Sequence, residues 1–215
     1  MKLYTHGLSP YSAKVRIALD EKGIAFDEIA LPLRRAGITH KPEEFLAANP
    51  RAQVPTLVDG DLALYDSTVI VEYLEEKQPE PHLFPVDRTE RARARLVEDD
   101  GDHLMGGAVV DLIQETFRKP DPATRDEARI ADAAARIHAA YDRLEAALDG
   151  QDHVMGEFGA ADVAWFMPIT CASLCGVPPA DRHPRIAAWV ARLNDRPSVA
   201  RTMAVMMETL QKIAD

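Results

Sequence analysis

The chain has 215 residues, 47% hydrophobic and 28% charged, a balance expected of a globular fold with one large domain or two small ones. Its net charge of −10, from 25 basic and 35 acidic residues, argues against nucleic acid or an anionic membrane as the main partner. No apolar run is long enough to span a bilayer, no charged-then-apolar leader opens the chain, and two cysteines fit a reducing cytoplasm.

Lys2-Leu3-Tyr4 opens as a short strand. Ser12 to Lys22 reads as a helix, with Val15, Ala18 and Leu19 on one face and Gly23 as its stop. Phe26 to Leu31 is a strand that Pro32 helps to end, and 32–41 is polar and irregular. Pro42-Glu43-Glu44-Phe45-Leu46 starts a short helix, with proline and acids in its first turn. Thr56-Leu57-Val58 and Leu62-Ala63-Leu64 flank Asp59-Gly60-Asp61, a hairpin signal. Asp66 to Glu76 is a helix whose Val, Ile, Tyr and Leu content predicts burial on most sides. The order β-α-β-α-β-β-α describes a small mixed sheet covered by helices.

Gln78-Pro79-Glu80-Pro81-His82-Leu83-Phe84-Pro85 carries three prolines in eight residues, which stops a helix and suits a linker. Beyond it no strand pattern occurs. Ile130, Ile137, Tyr141, Leu144 and Leu148 recur at helical spacing, and Ala160 to Leu174 is apolar almost throughout, as in a central buried helix. Pro184 to Asn194 and Ser198 to Ile213 read as two more helices. The expected division is an α/β domain over 1–77, a linker over 78–86 and an all-helical domain over 87–215.

The chemistry concentrates in the first part. Ser9-Pro10-Tyr11-Ser12 sits between the first strand and the first helix, where helix N–H groups and the helix dipole favour an anion or a thiolate. Gln53-Val54-Pro55-Thr56-Leu57 places a proline at a strand start, and Asp66-Ser67 opens another helix. Together these point to a bound thiol peptide whose sulfur is activated.

These residues resemble the cytosolic glutathione transferases, in particular the bacterial serine-type members with a theta- or zeta-like N-terminal domain. The resemblance runs through Ser9 to Leu19, Glu44-Phe45-Leu46-Ala47-Ala48-Asn49-Pro50, Gln53 to Leu57 and Leu64-Tyr65-Asp66-Ser67-Thr68-Val69-Ile70. It implies a thioredoxin-like N-terminal domain, a helical C-terminal domain that forms the electrophile pocket, and a homodimer. It also implies glutathione as co-substrate, a small hydrophobic electrophile as second partner, and no metal.

Residue by residue, the resemblance makes Ser9 the catalytic hydroxyl, with Ser12 better suited to capping the helix. Val54-Pro55 corresponds to a cis peptide that frees the Val54 backbone to pair with the cysteinyl unit of glutathione. Asp66 accepts from the γ-glutamyl ammonium, while Ser67 and the helix amides hold its carboxylate. His40 and Gln53 face the glycine carboxylate, with Lys41 a substitute for His40. Tyr4 is the rival hydroxyl, although a packed strand residue is the plainer reading, and His6 reads as a solvated loop residue.

Asp162 in Gly159-Ala160-Ala161-Asp162 retains half of a capping box, because glycine stands where the family has Ser or Thr. It reads as structural. Cys171 and Cys175 read as packing thiols, and Asp99-Asp100-Gly101-Asp102-His103 as surface rather than a metal loop. Leu104, Met105 and Phe117 are candidates for the wall of the hydrophobic pocket.

The function implied is thiolate attack on an electrophile, or glutathione-dependent isomerisation or dehalogenation. The alternative is a binding protein of the stringent-starvation type, which contacts RNA polymerase. Serine at both ends of the four-residue motif opposes a thiol–disulfide oxidoreductase.

Overall fold

The computed structural model describes residues 1–34 and 37–214. The chain forms two compact units, one of Met1–Leu83 with Arg196–Asp215, the other of Phe84–Asp195.

In the first unit, β1 (Lys2–Thr5), β2 (Asp27–Ala30), β5 (Thr56–Asp59) and β6 (Leu62–Tyr65) make one sheet of order β2-β1-β5-β6. β1 runs parallel to β2 and antiparallel to β5, and β5 and β6 form the expected hairpin. Side chains alternate across the sheet. Leu3 and Leu57 are buried with Ile17, Ile70 and Leu74 of α1 (Pro10–Glu21) and α3 (Ser67–Lys77). Tyr4, the neighbour of Leu3, instead joins Leu31 and Phe45, the buried residue of α2 (Glu43–Ala48). Full burial of a side chain such as Phe45 contributes about 1.5–3 kcal/mol. The stretch expected to be irregular also holds a two-stranded ribbon, β3 (Leu33–Arg34) against β4 (Gly37–Ile38), too short to carry a periodicity; Arg35 and Ala36 lie outside the described residues.

The proline-rich segment is held from beneath. Lys22, its ammonium fully buried, lies 2.7 Å from Glu75 and donates to the carbonyls of Gln78 at 2.7 Å and Pro81 at 2.9 Å. Glu75 also accepts the Leu83 N–H at 3.0 Å. A segment that cannot use helix or sheet hydrogen bonds thus satisfies its backbone with a buried ion pair.

The last helix, α9 (Pro197–Ala214), packs along α1 and so belongs to the first unit. Arg196 pairs with Glu21 at 2.7 Å, Arg201 pairs with Asp20 at 2.7 Å, and Ser198 hydrogen-bonds Glu21. Periodicity alone grouped Ser198 to Ile213 with the helical half because it reports a helix and not its partner.

In the second unit, α4 (Arg88–Leu104) continues through a π-helical turn, Met105–Val109, into α5 (Val110–Glu115). α6 (Glu127–Ala147), α7 (Ala160–Leu174) and α8 (Pro184–Asn194) follow. α7 is buried along nearly its whole length. Pro168 inside it has no N–H to offer the Ala164 carbonyl. Gly101 of α4 meets that carbonyl directly: a Cβ on Gly101 would lie 2.7 Å from the Ala164 oxygen. The Trp165 indole N–H donates to the Val97 carbonyl at 2.9 Å, fixing α4 against α7.

Candidate functional site

Tyr4 pairs with Thr56, and Thr56 with Tyr65, so three strands end or begin in one row across the sheet. The chain leaves that row as 6–9 after β1, enters it as 53–55 before β5, and leaves it as Asp66-Ser67 after β6. The three sequence motifs therefore converge at one end of the sheet. The N-termini of α1 and α3 begin at that same end, immediately after Ser9 and Asp66.

Ser9 is the N-cap of α1, which corrects the assignment of that role to Ser12. Pro10 starts the helix, and the Ser9 Oγ accepts the Ser12 N–H at 3.1 Å. Proline at the first helical position is pre-set for helix and lacks the N–H that would go unpaired there. Ser9 is 4% exposed. Accepting through a lone pair leaves its own O–H free to donate, so capping and donation to a sulfur are compatible. Ser12 lies inside the first turn, fully buried, and its Oγ has no hydrogen-bond partner among the described residues.

Tyr4 is turned away from this role. It is buried, packs on Phe45 at 5.4 Å between ring centroids, and donates to Glu44 at 3.2 Å. Burial first, and then the Glu44 carboxylate, raise its pKa above the ordinary tyrosine value. The His6 carbonyl accepts the Ser9 N–H at 3.1 Å, closing the turn before α1.

The Val54–Pro55 bond is cis, as the resemblance implies, and Val54 lies just outside the strand pairing that begins at Thr56. The segment is organised by Asn49, a fully buried residue to which the sequence assigned no role. Its amide donates to the Gln53 carbonyl at 2.7 Å and to the Thr56 Oγ1 at 2.9 Å, and the Thr56 hydroxyl donates to Gln53 at 3.0 Å. The Gln53 side chain is exposed, as are His40 and Lys41. The Lys41 ammonium donates to the Ala52 carbonyl at 2.9 Å, which sets it beside the 53–55 segment; His40 is in the exposed stretch before it.

Asp66 caps α3, accepting from the N–H groups of Thr68 at 3.0 Å and Val69 at 3.3 Å. Its φ of +82° lies where non-glycine residues seldom sit, a strain that functional sites retain. Ser67 follows, nearly buried. Beneath the pair, buried Lys14 of α1 donates to Thr68 at 2.9 Å and ties the two helix starts together. The signal for Lys14 in the sequence was a charge on the apolar side of α1, legible only once α3 was in place.

Asp162 is fully buried and accepts from the N–H groups of Val154 and Gly159, each at 3.0 Å, and from the Trp189 indole at 2.8 Å. Glycine has no side-chain oxygen, so only the Asp162 half of the capping box exists. Burial and the neighbouring Cys175 push the Cys171 thiol up to about 12, far from a reactive thiolate. His103 and Asp99 form an exposed pair one helical turn apart at 3.2 Å. Among the described residues no group of three His, Cys, Asp or Glu is placed to hold a metal. Leu104 and Met105 are buried at the π-helical turn.

Residues 3–82 match the family description "Glutathione S-transferase, N-terminal domain", and residues 107–197 match "Glutathione S-transferase, C-terminal domain". The chain belongs to the glutathione S-transferase family. Among solved structures it resembles a theta class glutathione S-transferase of Xanthomonas axonopodis pv. citri with glutathione bound. Identity there is 30%, the TM-score is 0.80, and the match covers 94% of this chain and 95% of that one. A stringent starvation protein A homolog of Coxiella burnetii is 44% identical over 97 residues, 45% of this chain and 44% of that protein. A maleylacetoacetate isomerase of Pseudomonas aeruginosa is 41% identical over 120 residues, 54% of this chain and 57% of that protein. The chain thus matches only about half the length of these two curated relatives.

Proposed function

We propose that this protein is a glutathione S-transferase in which the Ser9 hydroxyl donates to the glutathione sulfur and sustains a thiolate for attack on a small hydrophobic electrophile. The observation that carries this reading is the convergence of Ser9, the Val54–Pro55 segment and Asp66-Ser67, with two helix N-termini, at one end of the sheet.

In this reading the Val54 backbone pairs with the cysteinyl unit of glutathione. Asp66 takes the γ-glutamyl ammonium. Ser67 and the first amides of α3 take its carboxylate. Gln53 and His40, with Lys41 beside them, meet the glycine carboxylate. A free thiol has a pKa of about 8.5, and lowering it by roughly two units requires about 2.7 kcal/mol of differential stabilisation. A charge-assisted hydrogen bond contributes about 1.5–3 kcal/mol and the α1 N-terminus adds a smaller amount, so Ser9 with its helix suffices. The working form is a cytoplasmic homodimer, as the family implies.

The same thiolate supports glutathione-dependent isomerisation or dehalogenation, and the likeness to a maleylacetoacetate isomerase favours isomerisation among these. The likeness to a stringent starvation protein A homolog supports a second reading, a binding protein without turnover. Glutathione titration by calorimetry, with thiolate absorbance followed against pH in parent and Ser9→Ala, separates them. The transferase reading expects binding with a lowered thiol pKa in the parent and a pKa returned toward that of free glutathione in Ser9→Ala. No binding at millimolar glutathione would sink the enzyme reading and favour the binding protein.

A further inference from the structure

Gly7 lies two residues before Ser9, inside the turn closed by the Ser9 N–H and the His6 carbonyl. It is buried, and α9 occupies the space where a side chain would go. A Cβ on Gly7 would lie 1.9 Å from the Thr209 Oγ1, 2.6 Å from its Cβ and 2.9 Å from its Cγ2. Thr209 cannot easily yield. It is β-branched, which restricts its rotamers, and its hydroxyl donates to the Val205 carbonyl at 2.7 Å.

The other end of α9 is anchored as firmly. Arg196 and Ser198 bind Glu21, and Arg201 binds Asp20, at the last turn of α1. Although burial pushes the Glu21 carboxyl upward, its hydrogen bonds to Arg196 and Ser198 prevail and hold it below the ordinary glutamate range. The helix therefore runs back along α1, from the ion pairs at the C-terminal end of α1 to Gly7 just ahead of its N-terminal end.

We propose that Thr209 and Gly7 form a steric seat through which α9 sets the turn that aims the Ser9 hydroxyl, making both positioning residues for thiolate formation. This deepens the glutathione transferase reading and rests on Ser9 being the activating hydroxyl. Only glycine lets the turn approach the helix this closely, and a methyl group on residue 7 must displace the turn, the helix or both. Donation to a sulfur tolerates little displacement, because hydrogen bonds weaken steeply with distance and angle.

The test uses the full chain as parent, Gly7→Ala, Thr209→Gly, Gly7→Ala with Thr209→Gly, Thr209→Ala and Ser9→Ala. Folding is checked by circular dichroism. Glutathione affinity is read by calorimetry, and the pKa of the bound thiol by thiolate absorbance against pH. Gly7→Ala is expected to raise the bound thiol pKa by about one unit, a tenfold loss of preference for the thiolate. The double variant, which clears the methyl's space, is expected to recover most of that shift.

A folded Gly7→Ala with the parent's thiol pKa overturns the proposal. So does a raised pKa that the double variant fails to recover. Should Gly7→Ala not fold, Thr209→Ala decides, since it loosens the seat with Gly7 intact; an unchanged thiol pKa there overturns the seat. Ser9→Ala keeps the two claims apart. A raised pKa in Ser9→Ala beside a parent-like Gly7→Ala removes only the seat, whereas a parent-like Ser9→Ala removes the Ser9 reading itself.

Discussion

Asp66 and Asp162 both stand at helix N-termini, yet their surroundings are opposite. Asp162 is fully buried, and three donors of the chain itself, the N–H groups of Val154 and Gly159 and the Trp189 indole, occupy its oxygens. Asp66 is exposed, accepts from the Thr68 and Val69 amides at the start of its own helix, and holds a backbone φ of +82°. A carboxylate saturated by its own fold has little capacity left for a ligand. One held in a strained conformation at the surface retains free lone pairs and a site that a ligand can reach. The helix-capping pattern is shared, and the saturation of the oxygens is what would separate a folding element from the glutathione-binding role proposed for Asp66.

The largest effect is expected where saturation is complete. Asp162→Ala leaves buried donors without an acceptor and should cost about 3–5 kcal/mol, read as a lower denaturant midpoint. A midpoint equal to the parent's would show that Asp162 is no more a folding element than Asp66. Trp189→Phe removes one of the three donors and should cost about 1–2 kcal/mol in the same measurement.

Asp66→Gly tests the other side. Glycine accepts a positive φ without strain and is itself a tolerated cap, so stability should stay within about 0.5 kcal/mol of the parent. Glutathione affinity should nevertheless fall about tenfold, as expected for losing a charge-assisted hydrogen bond to an ammonium. Stability lost without affinity would place Asp66 with Asp162.

The smallest effect concerns pH. In α6, His138 stacks on His183 at 6.2 Å between centroids and meets the edge of Tyr141 at 5.7 Å; its Nδ1 has no partner among the described residues. Burial first, then Arg182 and His183, lower its pKa, with Asp142 opposing. The unfolded chain therefore binds the His138 proton more readily than the folded one. Stability from this group is complete above the ordinary histidine pKa of about 6.5 and declines as pH falls below it. Asp142, held to about 2 by Arg182 and His183, adds a separate loss at lower pH, between the ordinary aspartate range and about 2. Denaturation midpoints against pH should show the first decline flattened in His138→Phe and the second unchanged. An identical profile for His138→Phe and parent would remove His138 from the account.

The serines of the four-residue motif show where local reading fell short. Ser9 and Ser12 both have the chemistry of a cap, and the hydrophobic spacing of Val15, Ala18 and Leu19 does not say where the first turn begins. Pro10 was the available signal, because proline at the first helical position places the cap one residue before it. Asn49 gave no such signal. Its work is to hold the carbonyl of Gln53 and the hydroxyl of Thr56, and that shows only after the chain has turned back on itself.

The sequence by itself determined most of the strands and helices, the proline-rich break, the three motifs that the fold brings to one end of the sheet, and the incomplete capping box. Each is written in residues near one another, where side-chain spacing, proline and glycine act directly on the backbone. Tertiary structure decided that Tyr4 serves Glu44, that Lys14 and Lys22 are buried and partnered, and that α9 lies along α1 against Gly7. Most of those outcomes depend on groups far apart in the chain, such as Arg196 with Glu21 and Thr209 with Gly7, whose meeting is set by packing and leaves no periodicity to read.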